Sequence, residues 1–152
     1  MPKDGLPGEL MLEKIDRFLE TLAAFDAQDA ASGHFRQRMV RLLEDAGPQA
    51  FTRHHFVPGH ITGSAFIVSP KEGLVLLHHH RRLDRWLQMG GHSDGELDPA
   101  EIARREGTEE SGLSDLEFLD PGILDLDIHE IPAARGEPAH EHFDVRYALF
   151  TG

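Results

Sequence analysis

The chain contains no cysteine. That excludes disulfides, zinc–thiolate centres and thiol catalysis, and it fits a reducing, cytoplasmic setting. Long apolar runs are also missing. Nothing approaches the roughly 18 consecutive apolar residues of a membrane span, and the polar opening, residues 1–9, leads into no signal-like stretch. Positive charge is scarce: 15 Lys and Arg stand against 27 Asp and Glu, a formal net charge of −12. A broad basic face for a nucleic-acid polymer is therefore not expected, and neither is a membrane partner. The expected partner is a small molecule. If it carries phosphate, cations must mask the protein's own carboxylates, although solubility alone would also account for the acidity. Aromatic residues are few, with a single Trp. Trp86 could stack on a base, but a lone Trp beside a strand is more often core.

What is present suits one globular domain with a real core. Residues 9–25 read as an amphipathic helix, because Leu10, Leu12, Ile15, Phe18, Leu19 and Leu22 recur at three- and four-residue spacing. A second helix is predicted over 30–45, with Phe35, Met39, Val40, Leu42 and Leu43 inward and Gly47 and Pro48 as its stop. Residues 52–59 form a His-rich connector. Strands follow over 61–69 and 74–79, a hairpin candidate around the turn at 70–73. A short extended piece at 86–89 runs into Gly90 and Gly91. After a third helix come strands near 116–119, 123–131 and 142–150. This order is mixed α+β rather than a regular βαβ alternation.

The stretch over 90–113 carries the chemistry. Asp98 is a good N-cap, Pro99 fits the first helical position, Glu101 completes a capping box and Gly112 is a natural stop. The helix is therefore expected over 99–111. At about 100° per residue, Pro99, Ile102 and Ala103 share an inward face with Glu106, Glu109 and Glu110, while Arg104 and Thr108 point to water. Three carboxylates thus continue an apolar stripe. Burying like charges together is costly, and a divalent cation is the simplest compensation. A Glu-rich helix end that is merely solvated is the plainer alternative.

The same stretch resembles the Nudix box: Gly, five residues, Glu, seven residues, then Arg-Glu-aliphatic-x-Glu-Glu-x-Gly-aliphatic. Gly91 matches the opening glycine, and Arg105, Glu106, Glu109, Glu110, Gly112 and Leu113 match the second half at the required spacing. Two positions depart. Leu97 stands where the first Glu belongs, with Glu96 one place early and able to substitute by a small loop shift. Gly107 occupies the aliphatic position; it costs the helix about 1 kcal/mol against Ala and could permit close packing on a sheet. The resemblance extends over about 59–150. It implies a Nudix-like mixed β-sheet sandwiched by helices over 51–152, with residues 1–50 as an N-terminal helical extension packed on it. Nudix domains usually continue with a further strand and a C-terminal helix beyond the segment equivalent to 142–150. Their apparent absence here would fit a shortened chain, or a sheet covered by the N-terminal helices or by a second subunit, so a homodimer is expected.

The resemblance further implies a hydrolase that cleaves a diphosphate linkage in a nucleoside-diphosphate-type substrate with Mg2+ or Mn2+. By position, Glu106, Glu109, Glu110 and the backbone carbonyl of Gly90 would be metal ligands, and Arg105 would orient the carboxylates by pairing with Glu96. Glu106, Glu110, Asp127, His129, His142 and Asp144 are candidate general bases, with a box Glu favoured. A non-catalytic Nudix-like nucleotide-binding or regulatory module is the alternative, supported by Leu97. The 11 histidines are a second feature. His78, His79 and His80 end a strand, while His140 and His142, like Asp127 and His129, have the spacing that puts them on one face. Zinc binding, exposed strand-end histidines, and a cleft in which His92, His129 and His142 contact substrate are the competing readings. Arg81, Arg82 and Arg85 could bind a distal phosphate, or form a solvated loop offsetting nearby acids.

Overall fold

The computed structural model describes residues 8–152. Two helices open it, α1 (Gly8–Ala24) and α2 (Ala30–Ala46), followed by a 3₁₀ turn (Gly47–Phe51). The strands are β1 (Gly59–Ser69), β2 (Leu74–Leu76), β3 (His78–His80), β4 (Arg85–Leu87) and β5 (Met89–His92). Helix α3 (Pro99–Ser111) separates these from β6 (Glu117–Phe118), β7 (Asp125–Ile131) and β8 (His140–Phe150).

Two long strands organise the sheet. β1 and β8 run parallel, paired from Gly59 with Glu141 to Val68 with Phe150. The outer edge of β1 is shared: β5 pairs with Thr62 to Ala65, and β2 with Ile67 to Ser69, both antiparallel. β8 is flanked likewise by β7 and β6. The α+β class and mixed sheet match the sequence expectation. The expected single strand over 74–79 does not form. β5 already occupies the β1 edge, so only β2 finds room there. β3 instead turns away and pairs with β4 as a separate two-stranded ribbon. That ribbon gives Trp86 no core to enter. Contrary to the core reading, Trp86 is 67% exposed and its ring lies only beside His79, at 5.2 Å.

Strand alternation divides the sheet into two unlike faces. Ile61, Ala65 and Ile67 of β1 and Phe143, Val145, Tyr147 and Leu149 of β8 are buried in one apolar cluster. The same cluster takes in Ile15, Phe18 and Leu22 of α1, Met39, Leu42 and Leu43 of α2, and Ile102 and Ala103 of α3. The described helices therefore gather on this apolar face. The alternate residues, His60, Thr62 and Ser64 with His140, His142, Asp144 and Arg146, make the opposite face polar.

Helix α3 begins and ends where its caps place it. Asp98 accepts from the Ala100 N–H at 3.0 Å, and Gly112 adopts a left-handed φ of 77° with its N–H on the Thr108 carbonyl. The expected capping box is replaced. The Asp98 N–H is satisfied by Glu96, at 3.0 Å, rather than by Glu101, and Glu96 also binds Lys14 of α1 at 3.1 Å. Glu96 lies nearer than Glu101 because the loop folds it back over the helix start. Arg104 does not point freely to water either, since its guanidinium lies 4.7 Å over the Phe118 ring.

α3 approaches the sheet at glycines. A Cβ on Gly107 would stand 3.2 Å from Ala65 Cβ and 3.3 Å from Leu116 Cδ1, and one on Gly63 would stand 2.8 Å from Ile102 Cβ and from the Pro99 carbonyl oxygen. The close packing expected at Gly107 is thus realised. Gly63→Ala must push α3 off β1, and such overpacking costs about 1–3 kcal/mol. Urea denaturation of the variant should show a lower midpoint with an unchanged slope.

Candidate active site

The polar face of the sheet floors a cleft of about 550 Å³. β1 and β8 supply Thr62, Ser64, His142, Asp144 and Arg146, and β7 supplies His129. One wall is β5, with Gly90, Gly91 and His92, joined at its rim by Glu110 of α3. The β3–β4 ribbon contributes His78, His80, Leu83 and Leu87.

The carboxylates of α3 meet the chain at the paired glycines. A Cβ on Gly91 would lie 2.6 Å from Glu106 Cδ, so the carboxylate in this position rests directly against the glycine and would have to move for any larger residue. One residue on, the Gly90 N–H donates to Glu110 Oε1 at 3.3 Å, and His78 Nε2 stands 3.4 Å from Glu110 Oε2. Glu109 is exposed. Burial raises the Glu106 carboxyl above the ordinary range; Arg105 opposes the rise, and the Glu109 and Glu110 charges add to it. The helical face argument is thus met in part. The buried stripe continues through Gly107, Glu106 is half-buried beside it, and the three carboxylates do not converge at mutual ligand distance.

Arg105 does not pair with Glu96. It donates to the His92 carbonyl at 2.6 Å and the Ser93 carbonyl at 3.2 Å, and reaches Glu106 at 3.4 Å. Glu96 is already held by Lys14 and the Asp98 amide, which leaves Arg105 the loop backbone. Leu97 is 2% exposed and packs in the core.

Asp144 is 3% exposed and saturated with donors. Thr62 donates to it at 2.9 Å, Ser64 at 2.8 Å and Arg146 Nε at 3.2 Å. Arg146 also bridges to Asp125 at 3.4 Å and Asp127 at 3.2 Å. His129 Nδ1 lies 2.8 Å from Asp127 Oδ2. Arg81 and Arg85, and Arg82 with them, are exposed on the ribbon and lie outside the cleft lining.

Five imidazoles gather at one end of this polar face. His60 has ring centroids 5.3 Å from His92, 5.2 Å from His140 and 4.9 Å from His142, and His142 lies 5.6 Å from His129. Burial lowers the His60 pKa to about 4 and that of His142 to about 3, and lowers that of His92. Sequence reading missed His60. The available signal was polar alternation, His60-x-Thr62-x-Ser64, within a strand otherwise apolar.

Donor chemistry fits a hard divalent cation at α3. Glu106 and Glu110 offer oxygens beside backbone from which a Cβ is excluded. Mg2+ is commonly held by one or two carboxylates with substrate phosphates completing its shell.

No family model matches the chain, nor does any curated protein. Among solved structures, the chain is similar to a hydrolase of the NUDIX family from Clostridium perfringens, at 27% sequence identity. The match covers 66% of this chain and 71% of that one, with a TM-score of 0.42.

The buried histidines set an acid limit on stability. Folded His60 and His142 stay neutral below pH 6.5, whereas the unfolded chain takes up protons there. Stability present above the ordinary histidine pKa is therefore lost as pH falls from 6.5 toward about 4 and about 3. In chelator-treated protein the urea midpoint should drop between pH 7 and pH 4.5, and His142→Asn should show a smaller drop over the same interval.

Proposed function

We propose that this protein is a metal-dependent hydrolase of the Nudix type that cleaves a diphosphate linkage in a small nucleoside-diphosphate-type substrate. The carrying observation is the seating of Glu106 and Glu110 against Gly91 and Gly90 at the rim of a polar cleft. The match of 91–113 to the Nudix box, residue for residue at Arg105, Glu106, Glu109, Glu110 and Gly112, supports the same reading.

Mg2+ or Mn2+, held by Glu106 and Glu110 with Glu109 and the Gly90 backbone near by, would neutralise the diphosphate and acidify water. The protein's own groups do the positioning. Arg105 clamps the 92–93 carbonyls, fixing β5 against α3. Glu110 is the box carboxylate that reaches the cleft, so it serves best as general base. It takes a proton from the attacking water as a new oxygen–phosphorus bond forms and the bridging phosphorus–oxygen bond breaks. Asp144 is unsuited to that task because Thr62, Ser64 and Arg146 occupy its oxygens. His129, oriented by Asp127, and His142, with His92 beside them on the cleft, would donate to phosphate oxygens or the base. Arg81 and Arg85 would meet only a substrate long enough to reach the ribbon.

One observation favours a second reading, a non-catalytic nucleotide-binding module. The first box Glu is replaced by a core residue, Leu97, and Glu96 is spent on the helix start. A single experiment separates the two. Phosphate and nucleotide release is measured across nucleotide sugars, dinucleoside polyphosphates and nucleoside triphosphates, with and without Mg2+ or Mn2+. The hydrolase reading expects metal-dependent turnover that falls at least about 100-fold in kcat in Glu110→Gln and similarly in Glu106→Gln. Because burial already disfavours the Glu106 charge, Glu106→Gln should melt no lower than wild type without metal, so its loss of activity is not unfolding. Nucleotide binding with no turnover of any panel member would overturn the hydrolase in favour of the module.

A further inference from the structure

We propose that His60, His140 and His142 form a binding site for one first-row transition-metal ion, Zn2+ in the first instance, distinct from the carboxylates of α3. Among the described residues, these three are the group of metal-ligating side chains that converges, with ligand atoms all within 4.8 Å of one another. Sheet pairing builds the group. Parallel register sets His60 of β1 beside His142 of β8, and His140 is two residues earlier on the same face. Small side-chain rotations would bring the nitrogens to the roughly 2.0–2.1 Å at which zinc binds imidazole.

Hydrogen bonding has already chosen the ligand atoms. His60 Nδ1 lies 3.2 Å from the His55 carbonyl oxygen, and His140 Nδ1 lies 2.8 Å from that of Pro138. A carbonyl only accepts, so both Nδ1 atoms carry the proton and both Nε2 atoms present a lone pair. Metal-binding histidines are oriented by just such partners. His60 is 1% exposed, and its Nε2 has no hydrogen-bond partner. Buried polar atoms are rarely left so, and a cation at the centre of the group would satisfy this one. The donor set is all nitrogen, which suits Zn2+, Ni2+ or Cu2+ and not Mg2+ or Ca2+. The ring of His92 lies 5.3 Å from those of His60 and His142, beside this group. His142 and His92 also line the cleft, so the ion would stand at its end. The proposal does not depend on the hydrolase reading.

The full chain, stripped with chelator, is titrated with Zn2+ by calorimetry in excess Mg2+, and with Co2+ by visible absorption. The expected result is one tightly bound Zn2+ per chain, undisturbed by Mg2+, and the intense visible Co2+ bands of a low-coordinate, histidine-ligated site. His140→Asn and His142→Asn should each weaken Zn2+ binding by at least about 100-fold, while Glu106→Gln with Glu110→Gln should leave it unchanged. Should a histidine variant fail to fold, the wild-type Co2+ spectrum and the Mg2+ competition decide. Absence of a tight site in the wild type, displacement by Mg2+, loss in the glutamate variant, or survival of the site in folded histidine variants would each overturn the proposal. Survival would point to the exposed His78–His80 run instead.

Discussion

Helix α3 lies against β1 and β5 at a close approach made by glycines. Gly63 on β1 faces the interface with no room for a Cβ, Gly107 on the helix is tightly packed at 3.2 Å, and Gly91 on β5 lies against the Glu106 carboxylate. The arrangement costs helix propensity at Gly107 and chain entropy at all three. It gains a carboxylate, Glu106, laid directly on strand backbone, and Glu110 within reach of the Gly90 amide. Larger residues at the interface would leave the fold a wider gap and remove the acidic group from the cleft rim.

The sheet carries the rest of the chemistry by being two-faced. One side takes the helices and the apolar cluster, while the other carries histidines, Asp144 and Arg146. Strand alternation makes this economical, because along the middle of β1 and β8 successive residues face the core and the cleft by turns. The Asp144 network is the polar counterpart of the core. Thr62, Ser64 and Arg146 satisfy a carboxylate buried at the centre of the sheet, so the floor of the cleft is fixed in place. Around this floor lie two chemically unlike donor sets, oxygen at α3 and nitrogen at the histidine cluster. Hard cations prefer the first and borderline transition metals the second.

Helix α3 was legible almost to the residue, since Asp98, Pro99 and Gly112 act through bonds within a turn of themselves. α1 and α2 were legible from spacing for the same reason: an apolar stripe is a local property of the chain. The strand over 74–79 was not, because its fate depended on β5 having taken the neighbouring edge. Trp86 looked like core from its neighbours in sequence and became surface when that ribbon left the sheet.

The sequence by itself determined the helix boundaries and the placement of Glu106, Glu109 and Glu110 on one helix, consequences of local caps and a period of 3.6 residues. Only the tertiary structure decided that Arg105 holds the 92–93 backbone rather than Glu96, and that Glu96 ties α3 to Lys14. It alone brought His60 to His140 and His142. Residues 80 or more apart meet only through the parallel register of β1 on β8, and no local preference along the chain encodes that register.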